Sequence, residues 1–144
     1  LFPADPVRPE KRHDRAAALA AAADARLLTG GSIEPEAMCT WMNAADAVLV
    51  TSDYEGFGMA AIEALACDVP VLSTPVGVAP YLLAGIDGCL CAPFDPERWA
   101  AAARPHLAAS DPRVAGSGRA ATLAAGPMAD RVIEVYRHMI ARPV

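Results

Sequence analysis

Short apolar runs alternate with helix-forming segments along the chain, and this alternation restricts the fold more than any other feature. The runs are continuously apolar, which is typical of parallel strands covered on both faces. Parallel strands need crossover connections, and the helical segments between the runs supply them. The pattern predicts an α/β domain with a parallel sheet and right-handed crossovers. The predicted strands are 1–2, 26–31, 46–51, 70–74 and 88–93, and the predicted helices are 14–25, 34–45, 58–67, 78–85, one beginning at Asp95, and about 128–141.

Several residues indicate where the helices begin and end. Asp14 is predicted to cap the first helix, and Pro35 fits the first turn of the second, where a missing N–H has no cost. Asp95, followed by Pro96 and Glu97, is predicted to start a further helix, which Pro105 should end or kink. A loop rich in Gly and Ser is expected over 110–118.

Composition excludes several classes of function. The 144 residues are 54% hydrophobic and 20% charged, so they suit one globular domain. The net charge of −5 argues against a nucleic-acid partner, which would require a basic face. The sequence has neither a run long enough for a membrane span nor a signal-peptide pattern, so we expect a cytoplasmic location. The chain opens within what looks like a strand and without Met, which suggests a piece of a longer protein.

The four cysteines and the remaining candidate ligands do not suggest a metal site. Cys39, Cys67, Cys89 and Cys91 lie in apolar segments and are predicted to be small buried residues. A single Cys-x-Cys without a second pair of ligands is a poor zinc signal. No pair of aspartates is spaced to coordinate a metal ion, and we predict no metal.

The loop between the strand at 46–51 and the next helix is the candidate functional site. Ligands of open α/β sheets bind at the carboxyl ends of the strands, where loops lead into helix N-termini. Gly56 and Gly58 leave the backbone N–H groups of the first helical turn accessible, which favours an anion such as phosphate. The glycines could equally serve only the turn.

Glu63 is the second feature of this site. It lies in an otherwise apolar helix that we expect to be buried all round, where an unpaired charge is costly. Its side chain tilts towards the helix N-terminus, to about where the ribose of a nucleotide would lie if the diphosphate occupied the N–H groups. Glu55, before the loop, could accept hydroxyls from the group that the diphosphate carries. The alternatives are a salt bridge from Glu63 to an arginine and a solvated loop position for Glu55.

The segment EGFGMAAIEALACDVPVLSTPVG resembles the donor-site signature of retaining GT-B glycosyltransferases of the glycosyl transferases group 1 family. The shared pattern is Glu-Gly-Phe-Gly, a second Glu eight positions after the first, then Cys, Pro-Val and Thr-x-x-Gly. The flanking MNAADAVLVTSDYEG and DGCLCAPFDPERWAAAA are also similar to the family. The resemblance implies a Rossmann-like, three-layer α/β/α domain, the C-terminal half of a GT-B fold.

The resemblance also implies roles for individual residues. Glu55 matches the glutamate that contacts the donor sugar, and Glu63 matches the one that binds the ribose hydroxyls. The loop and helix start that hold the sugar and diphosphate correspond to Gly56, Phe57, Gly58, Met59 and Ala60. The family neutralises the diphosphate with a Lys, which Lys11 matches, and an Arg, for which Arg8 is the choice and Arg12 the alternative.

The chain departs from the family pattern at several positions. Asp68 replaces a glycine, Tyr81 replaces a glutamate, and strict alignment would place Asp5 where the family has its Arg. A βα element after the first helix is apparently absent, so residues 30–36 are expected to form the wall for the base.

These observations predict the donor-binding half of an enzyme that transfers a sugar, with retention, from a nucleotide-diphosphate sugar such as a UDP- or GDP-sugar. No other cofactor is expected. The acceptor, a sugar, lipid or small molecule, would bind mainly to an N-terminal domain that residues 1–144 lack. The isolated piece should therefore transfer nothing, and it could self-associate through the apolar stripe of its last helix. The alternatives are an epimerase- or phosphorylase-like enzyme and a non-catalytic nucleotide-sugar binding domain.

Overall fold

The computed structural model describes residues 1–141. Within this range, seven α-helices alternate with the strands of a parallel sheet, and a single 3₁₀ turn, Pro9–Lys11, precedes the first helix. The elements in chain order are α1 (His13–Ala22), α2 (Pro35–Asn43), β1 (Val48–Val50), α3 (Met59–Ala66), β2 (Val71–Ser73), α4 (Ala79–Leu82), β3 (Leu90–Cys91), α5 (Pro96–Ala108), α6 (Ser117–Ala121) and α7 (Ala125–Ile140).

The sheet is parallel, with β2 between β1 and β3; Leu49 is in register with Leu72. Residues 1–2 extend it beyond β1, because the Leu49 N–H donates to the Leu1 carbonyl over 2.8 Å. A bridge from Phe2 to Thr29 adds one more segment at the edge. The spatial order is therefore 28–30, 1–2, β1, β2, β3, and the direction of winding reverses between 1–2 and β1.

The prediction of a regular strand over 26–31 is wrong, because this segment forms only an isolated bridge at Thr29. Its neighbour in the sheet is the two-residue segment ending at Phe2. The Ile33 N–H donates to the Gly30 carbonyl over 2.8 Å, so the chain turns directly after Gly30 and the ladder ends there.

Two apolar cores on opposite faces of the sheet make the domain three-layered. Val48, Val50 and Val71 belong to a core shared with α2, α3, α4 and α6. Leu49 and Leu72 belong to the other core, with α1 and α5. Adjacent strand residues point to opposite faces, so this division follows from the strand period. The predicted α/β/α architecture is confirmed.

Two predicted helix ends need correction. Asp14 does not cap α1; the residue before the helix is Arg12, at φ 54°, and the Asp14 carboxylate accepts hydrogen bonds from its guanidinium. Pro105 does not end α5, which continues to Ala108. A proline removes one hydrogen bond of the helix, whereas Trp99, fully buried in this helix, keeps it packed on the sheet. The predicted cap Asp95 is confirmed, because its Oδ1 accepts from the Arg98 N–H over 2.7 Å.

The structure has one helix near the C-terminus that was not predicted, and the last helix begins earlier than predicted. α6 begins at Ser117, inside the expected loop, and α7 begins at Ala125. The apolar stripe predicted for the last helix is exposed to solvent over its full length. It consists of Val132, Ile133, Tyr136, Met139 and Ile140. Self-association through this stripe stays a prediction.

The helices were compared with the length and apolarity that a membrane span requires. None of the helices between residues 1 and 141 is both long enough and apolar enough to cross a bilayer.

Candidate donor site

A cavity of about 360 Å³ opens at the carboxyl ends of segment 1–2 and β1, where the winding direction reverses. This is the position at which open α/β sheets bind ligands. Eight of the nine predicted site residues line the cavity: Arg8, Lys11, Glu55, Phe57, Gly58, Met59, Ala60 and Glu63. The ninth, Gly56, is exposed and is not part of the lining; a side chain there would meet nothing within 4 Å.

The first turn of α3 offers unpaired N–H groups to this cavity. Gly58 precedes the helix with φ 99°, a left-handed conformation that favours glycine. No side chain caps the helix, and within residues 1–141 the N–H groups of Gly58, Met59 and Ala60 donate no hydrogen bond. Free N–H groups together with the positive end of the helix dipole suit an anion.

The loop after β2 supports the loop that precedes α3. The Val78 N–H donates to the Phe57 carbonyl over 2.8 Å. Gly77 lies directly beneath, at φ 53°, and a Cβ at this position would lie 2.5 Å from the Phe57 oxygen. Only glycine allows this approach, so Gly77 positions the loop that precedes α3. The Thr-x-x-Gly pattern in the sequence was the signal for it.

Lys11 and Glu55 form an ion pair in the cavity. The Lys11 ammonium lies 2.8 Å from Glu55 Oε2, and both side chains are largely buried. Ser52, itself buried, donates its hydroxyl to Glu55 Oε1 over 2.7 Å. An ammonium has three N–H donors, so Lys11 can hold Glu55 and still donate to an anion.

Thr51 holds the segment that carries Lys11. Its buried hydroxyl lies 3.0 Å from the carbonyl oxygens of both Lys11 and Arg12. The Asp53 N–H donates to the Glu10 carbonyl over 2.9 Å, next to the same turn. Our sequence reading missed Thr51 and Ser52, although two hydroxyl residues directly after a buried strand are an available signal.

The structure separates the two arginines proposed for the diphosphate. Arg8 lines the cavity; its exposed side chain pairs with Glu10. Arg12 is outside the lining and pairs with Asp14 and Asp53, whose hydrogen bonds raise the pKa of the guanidinium further. The geometry therefore favours Arg8 over Arg12 as the second cation near an anion.

Glu63 is placed differently from the prediction, because α3 is not buried all round. Met59, Glu63 and Ala66 are exposed and form one face of the helix. Partial burial still raises the pKa of the Glu63 carboxyl above its usual value. Within residues 1–141, Glu63 makes neither a salt bridge nor a hydrogen bond through its side chain, so the alternative of an arginine partner is not observed there.

A second cavity of about 630 Å³ adjoins the first, between residues 30–35, α2 and α3. The two share Pro3, Asp5, Met38 and Glu63 in their linings. The predicted base wall contributes Gly30, Gly31, Ile33 and Pro35 to the second cavity. Glu63 thus lies where the cavity at the start of α3 meets a wider, mainly apolar one.

Comparison with known proteins decides the family. A sequence profile described as "Glycosyl transferases group 1" matches residues 6–109, more than half of the chain. The chain belongs to the glycosyl transferases group 1 family.

Two curated relatives are named D-inositol 3-phosphate glycosyltransferase. The protein of Segniliparus rotundus is 38% identical over 109 residues, which are 72% of this chain and 24% of that protein. The protein of Thermobispora bispora is 35% identical over 140 residues, which are 94% of this chain and 32% of that protein. The chain thus spans about a quarter to a third of the length of these relatives.

Solved structures show the same fold. The sucrose-phosphate synthase of Thermosynechococcus elongatus superposes with a TM-score of 0.60 at 25% identity, covering 96% of this chain and 37% of that one. A glycosyltransferase involved in avilamycin A biosynthesis gives a TM-score of 0.62 at 24% identity, covering 95% of this chain and 50% of that one.

The departure of this group 1 chain at Asp68 has a structural explanation. Asp68 has φ 56°, the left-handed conformation for which glycine is suited. Its Oδ1 accepts the N–H groups of Gly116 and Ser117 over 2.9 and 2.7 Å at the start of α6. These hydrogen bonds hold the pKa of the carboxyl below its usual value. The side chain therefore attaches α6 to the end of α3.

The other two departures from the family pattern, Tyr81 and Asp5, differ in their relation to the cavities. Tyr81 is exposed, with its ring about 6.0 Å from the Arg119 guanidinium carbon, and does not line the cavities. Asp5 lines both cavities, and its Oδ1 accepts the Val7 N–H over 3.0 Å. An acid in place of an arginine reduces the positive charge near the unpaired N–H groups of α3.

Proposed function

We propose that residues 1–144 form the nucleotide-sugar donor site of a retaining glycosyltransferase. The diphosphate would lie on the N–H groups of α3, the sugar near Glu55, and the base in the wider cavity. The observation that carries the proposal is Glu63, an unpaired carboxylate at the junction of the two cavities. A ribose joins base and diphosphate, so its hydroxyls would lie at this junction and could donate to the carboxylate.

The reaction requires stabilisation of a leaving group. The bond between the sugar anomeric carbon and the diphosphate oxygen breaks, its electron pair stays on the diphosphate, and the acceptor hydroxyl forms the new bond and loses its proton. Lys11, Arg8 and the N–H groups of Gly58, Met59 and Ala60 are the groups that would stabilise the increasing diphosphate charge. Because they are already in place, little reorganisation accompanies the transfer.

Glu55 is proposed to bind the donor sugar. Ser52 and Lys11 hold its carboxylate at the cavity, which fixes its direction. Each carboxylate oxygen has a further lone pair, so Glu55 can accept sugar hydroxyls without losing either partner.

The proposal covers the donor side of the reaction. The relatives' names specify an inositol phosphate acceptor for those proteins, but this chain corresponds to only part of their length. We propose that the acceptor binds to a separate, N-terminal domain and that residues 1–144 alone bind the donor without transferring the sugar.

Binding of UDP, GDP and ADP to the chain, measured by thermal shift and calorimetry, tests the proposal. At least one nucleotide should stabilise the fold, by about 2.7 kcal/mol at a hundred times its dissociation constant. Glu63→Gln removes a charge-assisted acceptor worth about 1.5–3 kcal/mol, so it should weaken binding roughly 10- to 100-fold. Glu134→Gln, on exposed α7, is the control and should bind like the unmodified chain. Absence of binding by all three nucleotides, or equal affinity for Glu63→Gln, would contradict the proposal.

A further inference from the structure

Two cysteines lie in contact at the edge of the wider cavity. Cys39, in α2, and Cys67, at the end of α3, have their Sγ atoms 3.5 Å apart, although 28 residues separate them in sequence. A disulfide bond is about 2.05 Å long, so the sulfurs need to approach by only about 1.5 Å to be joined. The prediction that all four cysteines are buried is wrong: Cys39 is exposed, which opens the pair to solvent, and Cys67, Cys89 and Cys91 are only partly buried.

The surroundings give the two thiols different roles. The Asn43 side-chain amide donates to Cys39 Sγ over 3.4 Å. Arg113 donates to the Asn43 carbonyl over 2.9 Å, which places a cation next to the pair. Burial, followed by the contact with Cys39, raises the pKa of the Cys67 thiol. Because Cys39 is exposed and Cys67 is partly buried, Cys39 is the thiol that meets an oxidant first, and Cys67 is the thiol that then reacts with it.

The other two cysteines provide an internal comparison. Cys89 and Cys91 are partly buried, and burial raises the pKa of both thiols. Within residues 1–141, neither sulfur contacts another sulfur; Cys89 Sγ accepts the Val71 N–H over 3.4 Å. They should react more slowly with an oxidant and should not form a bond to each other.

We propose that Cys39 and Cys67 form a reversible disulfide when the chain meets a low-molecular-weight disulfide such as oxidised glutathione. The Cys39 thiolate attacks one glutathione sulfur, the glutathione disulfide breaks, and one glutathione leaves as a thiolate. Cys67 then loses its proton to solvent and attacks the Cys39 sulfur, and the second glutathione leaves. Two cysteine thiols are thereby oxidised, and one glutathione disulfide is reduced to two thiols.

The disulfide would act on the cavity next to it. Cys39, Cys67 and Glu63 all line the wider cavity, and Cys67 lies one helical turn after Glu63 on α3. A covalent bond would hold α2 against α3 and narrow the space between them. This consequence rests on the proposed function, since it predicts that the oxidised chain binds a nucleotide less tightly than the reduced chain.

Peptide mass spectrometry tests the bond without reference to nucleotide binding. The reduced 144-residue chain is incubated with oxidised glutathione, and its remaining thiols are alkylated. It is then digested with an endoproteinase that cleaves after Glu and Asp, because no Lys or Arg lies between Cys39 and Cys67. We expect two of the four thiols to be lost, a linked peptide pair containing Cys39 and Cys67, and recovery of both thiols with dithiothreitol. Cys39→Ser and Cys67→Ser should each abolish the linked pair, whereas Cys89→Ser should keep it. Circular dichroism checks that each variant is folded.

Other products would overturn the proposal. These are a stable glutathione adduct on Cys39 with no internal link, a link that involves Cys89 or Cys91, and no reaction at all. The consequence for the cavity is tested separately by the thermal shift with UDP, GDP and ADP. We expect the nucleotide to raise the melting temperature of the oxidised chain by less than that of the reduced chain. Incubation of Cys39→Ser with oxidised glutathione should not change its thermal shift. An equal shift in the oxidised and reduced chains would refute the narrowing of the cavity but not the bond.

Discussion

Removal of the Asp68 carboxylate should destabilise the attachment of α6 to α3, and three substitutions separate its two contributions. The first contribution is the pair of hydrogen bonds from the N–H groups of Gly116 and Ser117, at 2.9 and 2.7 Å. The second is the left-handed backbone at φ 56°, which costs about 1–2 kcal/mol for most residues but little for glycine. Ala removes the hydrogen bonds and keeps the backbone cost, Gly removes both, and Asn keeps the shape without the charge.

The expected magnitudes follow from these contacts. A net hydrogen bond to a charged group contributes about 1.5–3 kcal/mol, and exposure of the Ser117 bond reduces its share. Asp68→Ala should therefore lower the free energy of unfolding by about 2–3 kcal/mol. Asp68→Gly should lower the free energy of unfolding by about 1 kcal/mol less than Asp68→Ala does. Asp68→Asn retains an acceptor oxygen, so it should lower the free energy of unfolding by only about 1 kcal/mol.

Urea denaturation of the four chains at several pH values measures these differences. The pKa of Asp68 is lowered in the folded chain, so its contribution is present above the unfolded pKa and is lost as pH falls through the folded one. Asp68→Asn should therefore lose less stability on acidification than the unmodified chain does. Equal costs for Ala and Gly would refute the backbone argument. If the free energy of unfolding fell with decreasing pH as steeply in Asp68→Asn as in the unmodified chain, the charged hydrogen bonds of Asp68 would be refuted.

Three further outcomes are expected at the proposed donor site. Gly77→Ala places a methyl group 2.5 Å from the Phe57 oxygen and should reduce both thermal stability and nucleotide binding, whereas Gly118→Ala, where a Cβ meets nothing within 4 Å, should leave both unchanged. The unmodified chain should bind a nucleotide more tightly than Glu63→Gln, and this difference in affinity should disappear as pH falls through the raised pKa of Glu63, because protonation removes the charged acceptor. A ratio of the two affinities that calorimetry finds independent of pH would refute the role of the Glu63 charge. The isolated chain, assayed with radiolabelled nucleotide sugars, should show no transfer, and a measurable rate would refute the need for a second domain.

Much of the fold could be predicted from local sequence patterns. The bounds of β1, β2 and α3 agree with the prediction to within one or two residues, because each element coincides with a clear apolar segment of the sequence. The strand predicted over 26–31 is wrong, and α5 continues past Pro105, where the prediction was an end or a kink. The turn in which the Ile33 N–H donates to the Gly30 carbonyl ends the edge segment, and the packing of Trp99 holds α5 together around its proline.

The sequence alone, through its apolar pattern and its resemblance to the family, predicted the family, the layer order and eight of the residues that line the cavity, since the motif that carries the resemblance has a short, regular spacing. Only the tertiary structure decided that Lys11 pairs with Glu55, that Glu63 is exposed between two cavities, and that Cys39 contacts Cys67. These contacts join residues that are far apart in the chain. Their distances depend on how the helices pack across the sheet, and a local sequence pattern contains no information about that packing.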